Sequence, residues 1–169
     1  MGNNWKITDT LTKVFAEEVP DGQGSIRLST LHRETVSCVI AYFGAADWGR
    51  YWKVSVKAPE KIETRLRRVE LVPSAYPCHK EQDDNYLRIV PGMYPDLLRD
   101  LDTEDDGADK KYLTKEVPGQ WRSLWLDVTV DAELAGGDYA IVIETETEDG
   151  EKETLKADLH VVDASLPPQ

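Results

Sequence analysis

The sequence predicts an all-β chain, a two-sheet antiparallel β-sandwich of the immunoglobulin or jelly-roll kind, with a long irregular middle segment and at most short helices. Three observations carry this expectation. Apolar and polar residues alternate at period two along six segments. Turn signals built from Gly, Pro, Asn and Asp recur about every ten residues. Helical i, i+3, i+4 spacing is almost absent.

Along ETVSCVIAYF, Val36, Cys38, Ile40 and Tyr42 point one way and Val39, Ala41 and Phe43 the other. Both faces are apolar, as a central strand requires. In YWKVSVKAP, Trp52, Val54 and Val56 share a face, Lys53, Ser55 and Lys57 take the other, and Pro59 ends the ladder. RRVELV alternates up to Pro73. Residues 73–120 then read as irregular, punctuated by Pro77, Pro91-Gly92 and Tyr94-Pro95-Asp96, with room for one short helical turn over 96–101.

Three strands follow in succession. SLWLDVTV places Leu124, Leu126, Val128 and Val130 on one face, with Trp125, Asp127 and Thr129 opposite. DYAIVIETETE sets Tyr139, Ile141 and Ile143 against Glu144, Glu146 and Glu148, and Asp149-Gly150 suits a tight hairpin turn. KETLKADLHVV returns with Leu155, Ala157, Leu159 and Val161 inward and Lys152, Lys156 and Asp158 outward, across from the glutamates. Near the N-terminus, DTLTKVFAEEV fits either a short helix capped by Asp9, with Leu11, Val14 and Phe15 on one side, or an extended segment.

A chain of 169 residues suits one domain and buries about two thirds of its unfolded surface, so it needs neither disulfide nor metal to fold. Its 32 acidic against 20 basic residues give a net charge of -12, which disfavours nucleic acid and anionic membranes as partners. Of the local basic patch Arg65, Arg67 and Arg68, Arg65 and Arg67 share a strand face and read as a solvated exterior. No apolar run is long enough to span a bilayer. MGNNWKITDT lacks the basic and apolar regions of a secretory leader, which favours a cytoplasmic setting. Cys38 reads as a small buried hydrophobe and Cys78 as a turn residue, both reduced.

The sequence holds no catalytic constellation and no cofactor motif. His32, His79 and His160 share no metal-ligand spacing with cysteines or carboxylates, and each is expected at a surface or edge. Asp102, Glu104, Asp106 and Gly107 imitate the opening of an EF-hand loop, but Leu113 stands where its bidentate carboxylate belongs, so a solvated acidic loop is expected, with a weaker surface calcium site over 102–109 as the alternative. Neither a nucleophile elbow nor a phosphate-binding glycine loop is present. Aromatic residues remain. An exposed indole matches the apolar face of a pyranose, which makes Trp48, Trp52 and Trp121 the candidate carbohydrate-binding residues.

Several phrases taken together, Val14-Phe15 after Trp5, the His32-Arg33-Glu34 turn into TVSCVI, RRVELVPSAYP, PGMYPDLL, VPGQWRSLWLDVTVDAELAGGDYAIVIE and DASLPPQ, resemble the N-terminal domain of family 123 glycoside hydrolases. PGMYPDLL is the most distinctive. His32 departs from that pattern, where glycine is common before Arg-Glu. The resemblance implies a non-catalytic accessory sandwich over residues 1–165 and the start of a linker at 166–169. It further implies a C-terminal catalytic (β/α)-barrel in the same polypeptide, in which an Asp-Glu pair and the substrate's acetamido group hydrolyse β-linked N-acetylgalactosamine. Tyr94, Pro95 and Asp96, on a loop stiffened by Gly92 and Pro95, are the candidate domain-interface residues. A carbohydrate-binding module using its surface tryptophans is the alternative expectation, and a small enzyme with paired carboxylates a third.

Overall fold

The computed structural model describes residues 4–46, 48–81, 86–105 and 110–167. The strands are β1 (Trp5–Thr8), β2 (Ser25–His32), β3 (Thr35–Phe43), β4 (Tyr51–Lys57), β5 (Ile62–Ser74), β6 (Gly92–Asp100), β7 (Thr103–Asp105), β8 (Lys110–Lys115), β9 (Trp121–Val130), β10 (Gly137–Thr147) and β11 (Lys152–Ser165). They form a five-stranded sheet in the order β1-β3-β9-β5-β6 and a six-stranded sheet in the order β2-β11-β10-β4-β8-β7. The two make a β-sandwich, and no helix occurs among the described residues. None is therefore long and apolar enough to cross a membrane.

The alternating segments are the strands that build the core. Cys38 and Ile40 of β3, Leu124, Leu126 and Val128 of β9, Ile141 and Ile143 of β10, and Leu155, Ala157 and Leu159 of β11 pack between the sheets. Each large aliphatic side chain buried there contributes about 1.5–3 kcal/mol. Trp5 stacks on Tyr42 at 4.8 Å and meets Trp52 edge-on at 5.1 Å, joining β1, β3 and β4. Asp149-Gly150 turns the β10–β11 hairpin with Gly150 at φ 83°, and Lys152 bridges Glu146 at 3.2 Å across it.

Several expectations are corrected. The middle of the chain is not irregular throughout, since β6, β7 and β8 lie within 73–120. Thr114 occupies a fully buried position of β8, so polar chemistry hides that strand's alternation. Residues 96–101 form no helical turn. Glu70 faces Leu97 while Leu71 faces Pro95, which makes Asp96 the extra residue of a β-bulge, and the bulge breaks the period-two signal of β6. Residues 9–18 form no helix either. Asp9 Oδ1 accepts the Leu11 and Thr12 amides at 2.9 Å, and the chain then crosses the outer face of the five-stranded sheet. There Val14 packs with Val39, Ala41 and Trp121 while Leu11 stays in solvent. β2 runs parallel to β11, so the six-stranded sheet is mixed rather than wholly antiparallel. Pro73 is tolerated inside β5 because β9 pairs with that strand only as far as Val69, leaving one side of Pro73 without a strand neighbour.

Candidate functional site, a docking surface at the edge of the five-stranded sheet

β6 is the edge of its sheet, and it carries both Pro95, which has no amide to offer a further strand, and the Asp96 bulge. These features discourage edge-to-edge pairing and leave the side chains as the means of contact. Tyr94 Oη donates to the Val90 carbonyl at 2.5 Å, holding the preceding loop against the strand. Its ring meets Phe15 edge-on at 5.7 Å. The Arg88 guanidinium lies 3.7 Å over that same Phe15 ring and pairs with Glu17 and Glu18. Phe15 is thus clamped between strand and loop, and the N-terminal crossing segment is tied to residues 86–94.

This arrangement turns apolar side chains outward. Leu87 is 74% exposed and Val90 55%, with Ile89 and Met93 beside them in sequence and also exposed. A groove of about 470 Å³ is lined by Phe15, Val72, Pro77, Leu87, Tyr94 and Pro95. Of the three candidate interface residues, Tyr94 is half-buried, Pro95 buried and Asp96 exposed. The sequence signal for the surface was the apolar run Tyr86 to Val90, set unusually in a turn-rich stretch.

The candidate carbohydrate-binding residues are scattered. Trp52 lies between the sheets, fully buried, with Nε1 donating to Glu116 at 2.7 Å. Trp121 is buried under the crossing segment, tilted against Phe43 at 5.4 Å. Burial leaves neither of them a ring face for a sugar, which corrects the expectation for both. Trp48 alone of the three is in solvent, 84% exposed.

The remaining sites resolve into ordinary ion pairs and packing. The expected basic strand face is neutralised, with Arg65 bonded to Asp100 at 2.8 Å, Arg67 to Asp127 at 2.5 Å and Arg68 to Glu70 at 2.8 Å. Arg67 is only partly exposed rather than solvated. His160 and His79 are exposed, and His160 pairs with Asp138 at 2.7 Å. His32 sits at the end of edge strand β2 but is buried, its Nε2 3.5 Å from Asp163, where the end of β11 runs beside it with Ser165 opposite and the Leu166 amide on its carbonyl. Both cysteines are free thiols, and burial first, then the Asp127 charge, pushes Cys38 up to about 12. Among the described residues no three His, Cys, Asp or Glu side chains converge as a metal site. Asp106 and Gly107 of the acidic loop lie outside the described residues.

Fold and surface together define a β-sandwich module with an exposed apolar surface beside a strand edge. No family model and no curated protein matches the chain. Among solved structures it is similar to a family 123 glycoside hydrolase from Clostridium perfringens, with a TM-score of 0.66 at 10% identity over 96% of this chain and 28% of that one. The chain therefore spans less than a third of that enzyme's length. The N-terminal domain of PorA aligns at TM-score 0.46 and 7% identity, over 95% of this chain and 99% of that one. BcpA, the major pilin subunit of Bacillus cereus, aligns at 0.44 and 8%, over 94% and 40%.

Proposed function

We propose that the chain is a non-catalytic accessory domain that packs against and supports a catalytic (β/α)-barrel in the same polypeptide, the barrel being of the β-N-acetylgalactosaminidase type. The observation that carries this reading is the run of exposed apolar side chains Leu87, Ile89, Val90 and Met93 on a loop braced by Tyr94, Phe15 and Arg88. Apolar surface of this kind, fixed in position next to a strand edge blunted by Pro95 and a bulge, favours burial against a rigid partner over strand addition. The similarity in fold to part of a family 123 glycoside hydrolase supports the choice of partner. On this reading the hydrolytic Asp-Glu pair belongs to the barrel, and Tyr94, Pro95 and Asp96 lie at the junction.

The test is to express the polypeptide in which the chain occurs with and without residues 1–165. The barrel lacking them is expected to lose solubility and melt at lower temperature. A barrel equally soluble, stable and active alone overturns the supporting role, as does the absence of any barrel from that polypeptide.

A further inference from the structure

A second concavity, on the sandwich rather than at its docking edge, has a different chemistry. Arg68, Glu70 and Arg122 lie on the same strand faces as Leu66 and Leu124, so charged side chains replace the core at one end of the five-stranded sheet. With Tyr42, Lys115, Glu116 and the exposed Trp48 they line a cleft of about 520 Å³, within the size range of small-molecule sites.

The loop carrying Trp48 is pinned at both ends. A Cβ on Gly44 would stand 2.1 Å from the Val117 carbonyl oxygen, and one on Gly49 2.4 Å from that of Glu116. The Gly44 and Gly119 backbones are also bonded, the Gly119 amide donating to the Gly44 carbonyl at 2.8 Å. The indole is therefore presented on a backbone held against β8 and the loop after it.

The charges of the cleft do not cancel. Glu70 accepts from Arg68, and Glu116 accepts from Arg50 and Trp52, so both carboxylates are occupied. Among the described residues no carboxylate forms a salt bridge with Arg122 or Lys115. Arg122 donates from Nη2 to Gln120 at 2.9 Å, but its Nε is buried without a partner. Arg122 lines the cleft with no carboxylate of the described residues on it, which leaves its guanidinium fork for an incoming anion.

We propose that this cleft binds a saccharide bearing a carboxylate or sulfate group, with a pyranose face on Trp48 and the anion on Arg122 and Lys115. An indole face takes the apolar side of the ring, and a forked guanidinium takes the planar or tetrahedral oxyanion. The assignment stands independently of the supporting role above.

The test is calorimetric titration of the 169-residue chain with trigalacturonate, galactose 6-sulfate, neutral galactotriose and sodium sulfate. At least one acidic saccharide is expected to bind with a Kd below about 1 mM, and galactotriose about tenfold more weakly. Trp48→Ala, which removes only an exposed side chain, and Arg122→Gln are each expected to weaken the acidic saccharide about tenfold. Absence of saccharide binding at about 10 mM overturns the proposal, as does equal affinity for galactotriose. Inorganic sulfate binding as tightly as either acidic saccharide, or a Trp48→Ala variant that binds unchanged, also overturns it.

Discussion

Trp52 Nε1 donates a 2.7 Å hydrogen bond to Oε1 of Glu116, whose side chain is 1% exposed. The same carboxylate accepts from Arg50 Nε at 3.3 Å and Nη2 at 3.2 Å, and Arg50 reaches on to Glu151 at 2.5 Å. One buried anion thus joins the core tryptophan of β4, the end of β8 and the β10–β11 hairpin. Removing it strands three N–H donors on two side chains at once. Glu116→Ala is expected to cost about 3 kcal/mol in urea unfolding, and Glu116→Gln about 1–2 kcal/mol because an acceptor for Trp52 remains. Equal losses would show that the acceptor left by Glu116→Gln is worth nothing to Trp52, and no loss in Glu116→Gln that Arg50 gains nothing from the charge.

Two glycines separate steric from conformational cost. Gly44 has no positive φ, and its obstacle is the Val117 backbone itself, so Gly44→Ala forces the 44–50 loop away from the strand end. A loss of about 3 kcal/mol is expected by denaturant titration, the upper end of the overpacking range. Gly150 has open space but φ 83°, and Gly150→Ala is expected to cost only about 1 kcal/mol.

The two thiols differ in access. Cys38 is fully buried with its thiol pushed up to about 12 by burial, whereas Cys78 is partly exposed with Sγ 3.6 Å from the Ile89 carbonyl. Iodoacetamide at pH 8 is expected to add once, at Cys78, in the native chain and twice in guanidinium, as read by mass spectrometry. If a barrel packs on the neighbouring 86–94 loop as proposed, it is expected to slow that single addition.

Leu87 and Val90 contribute little to the isolated domain, being largely in solvent. Leu87→Ser and Val90→Ser are expected to shift its unfolding free energy by less than about 0.5 kcal/mol. If the chain supports a barrel as proposed, the same changes are expected to lower the melting temperature of that barrel. A loss above about 1.5 kcal/mol in the domain alone would place these side chains in its own packing.

Phe15 is the keystone of the clamp, 6% exposed beneath Arg88 and Tyr94. Phe15→Ala is expected to cost about 3 kcal/mol. Amide exchange should accelerate in 9–20 and 86–94 together, since one ring holds both segments. Acceleration in only one of them would show that the segments are held separately.

By itself the sequence determined the all-β class, the inward and outward faces of β3, β4, β9, β10 and β11, and the Asp149-Gly150 hairpin, because a strand with one buried face must alternate. It could not say what lies on a face once both sides are apolar. Trp48, Trp52 and Trp121 look alike as residues, yet one is in solvent, one lies between the sheets and one lies under the chain segment that crosses the outer face. Likewise the bulge at Asp96 erased the alternation of β6, and the Arg50–Glu116 pair joins residues 66 apart with no spacing to announce it. These were decided by tertiary structure, since burial and ion pairing depend on which distant segment arrives to cover a surface, and period-two patterning records only that a surface exists.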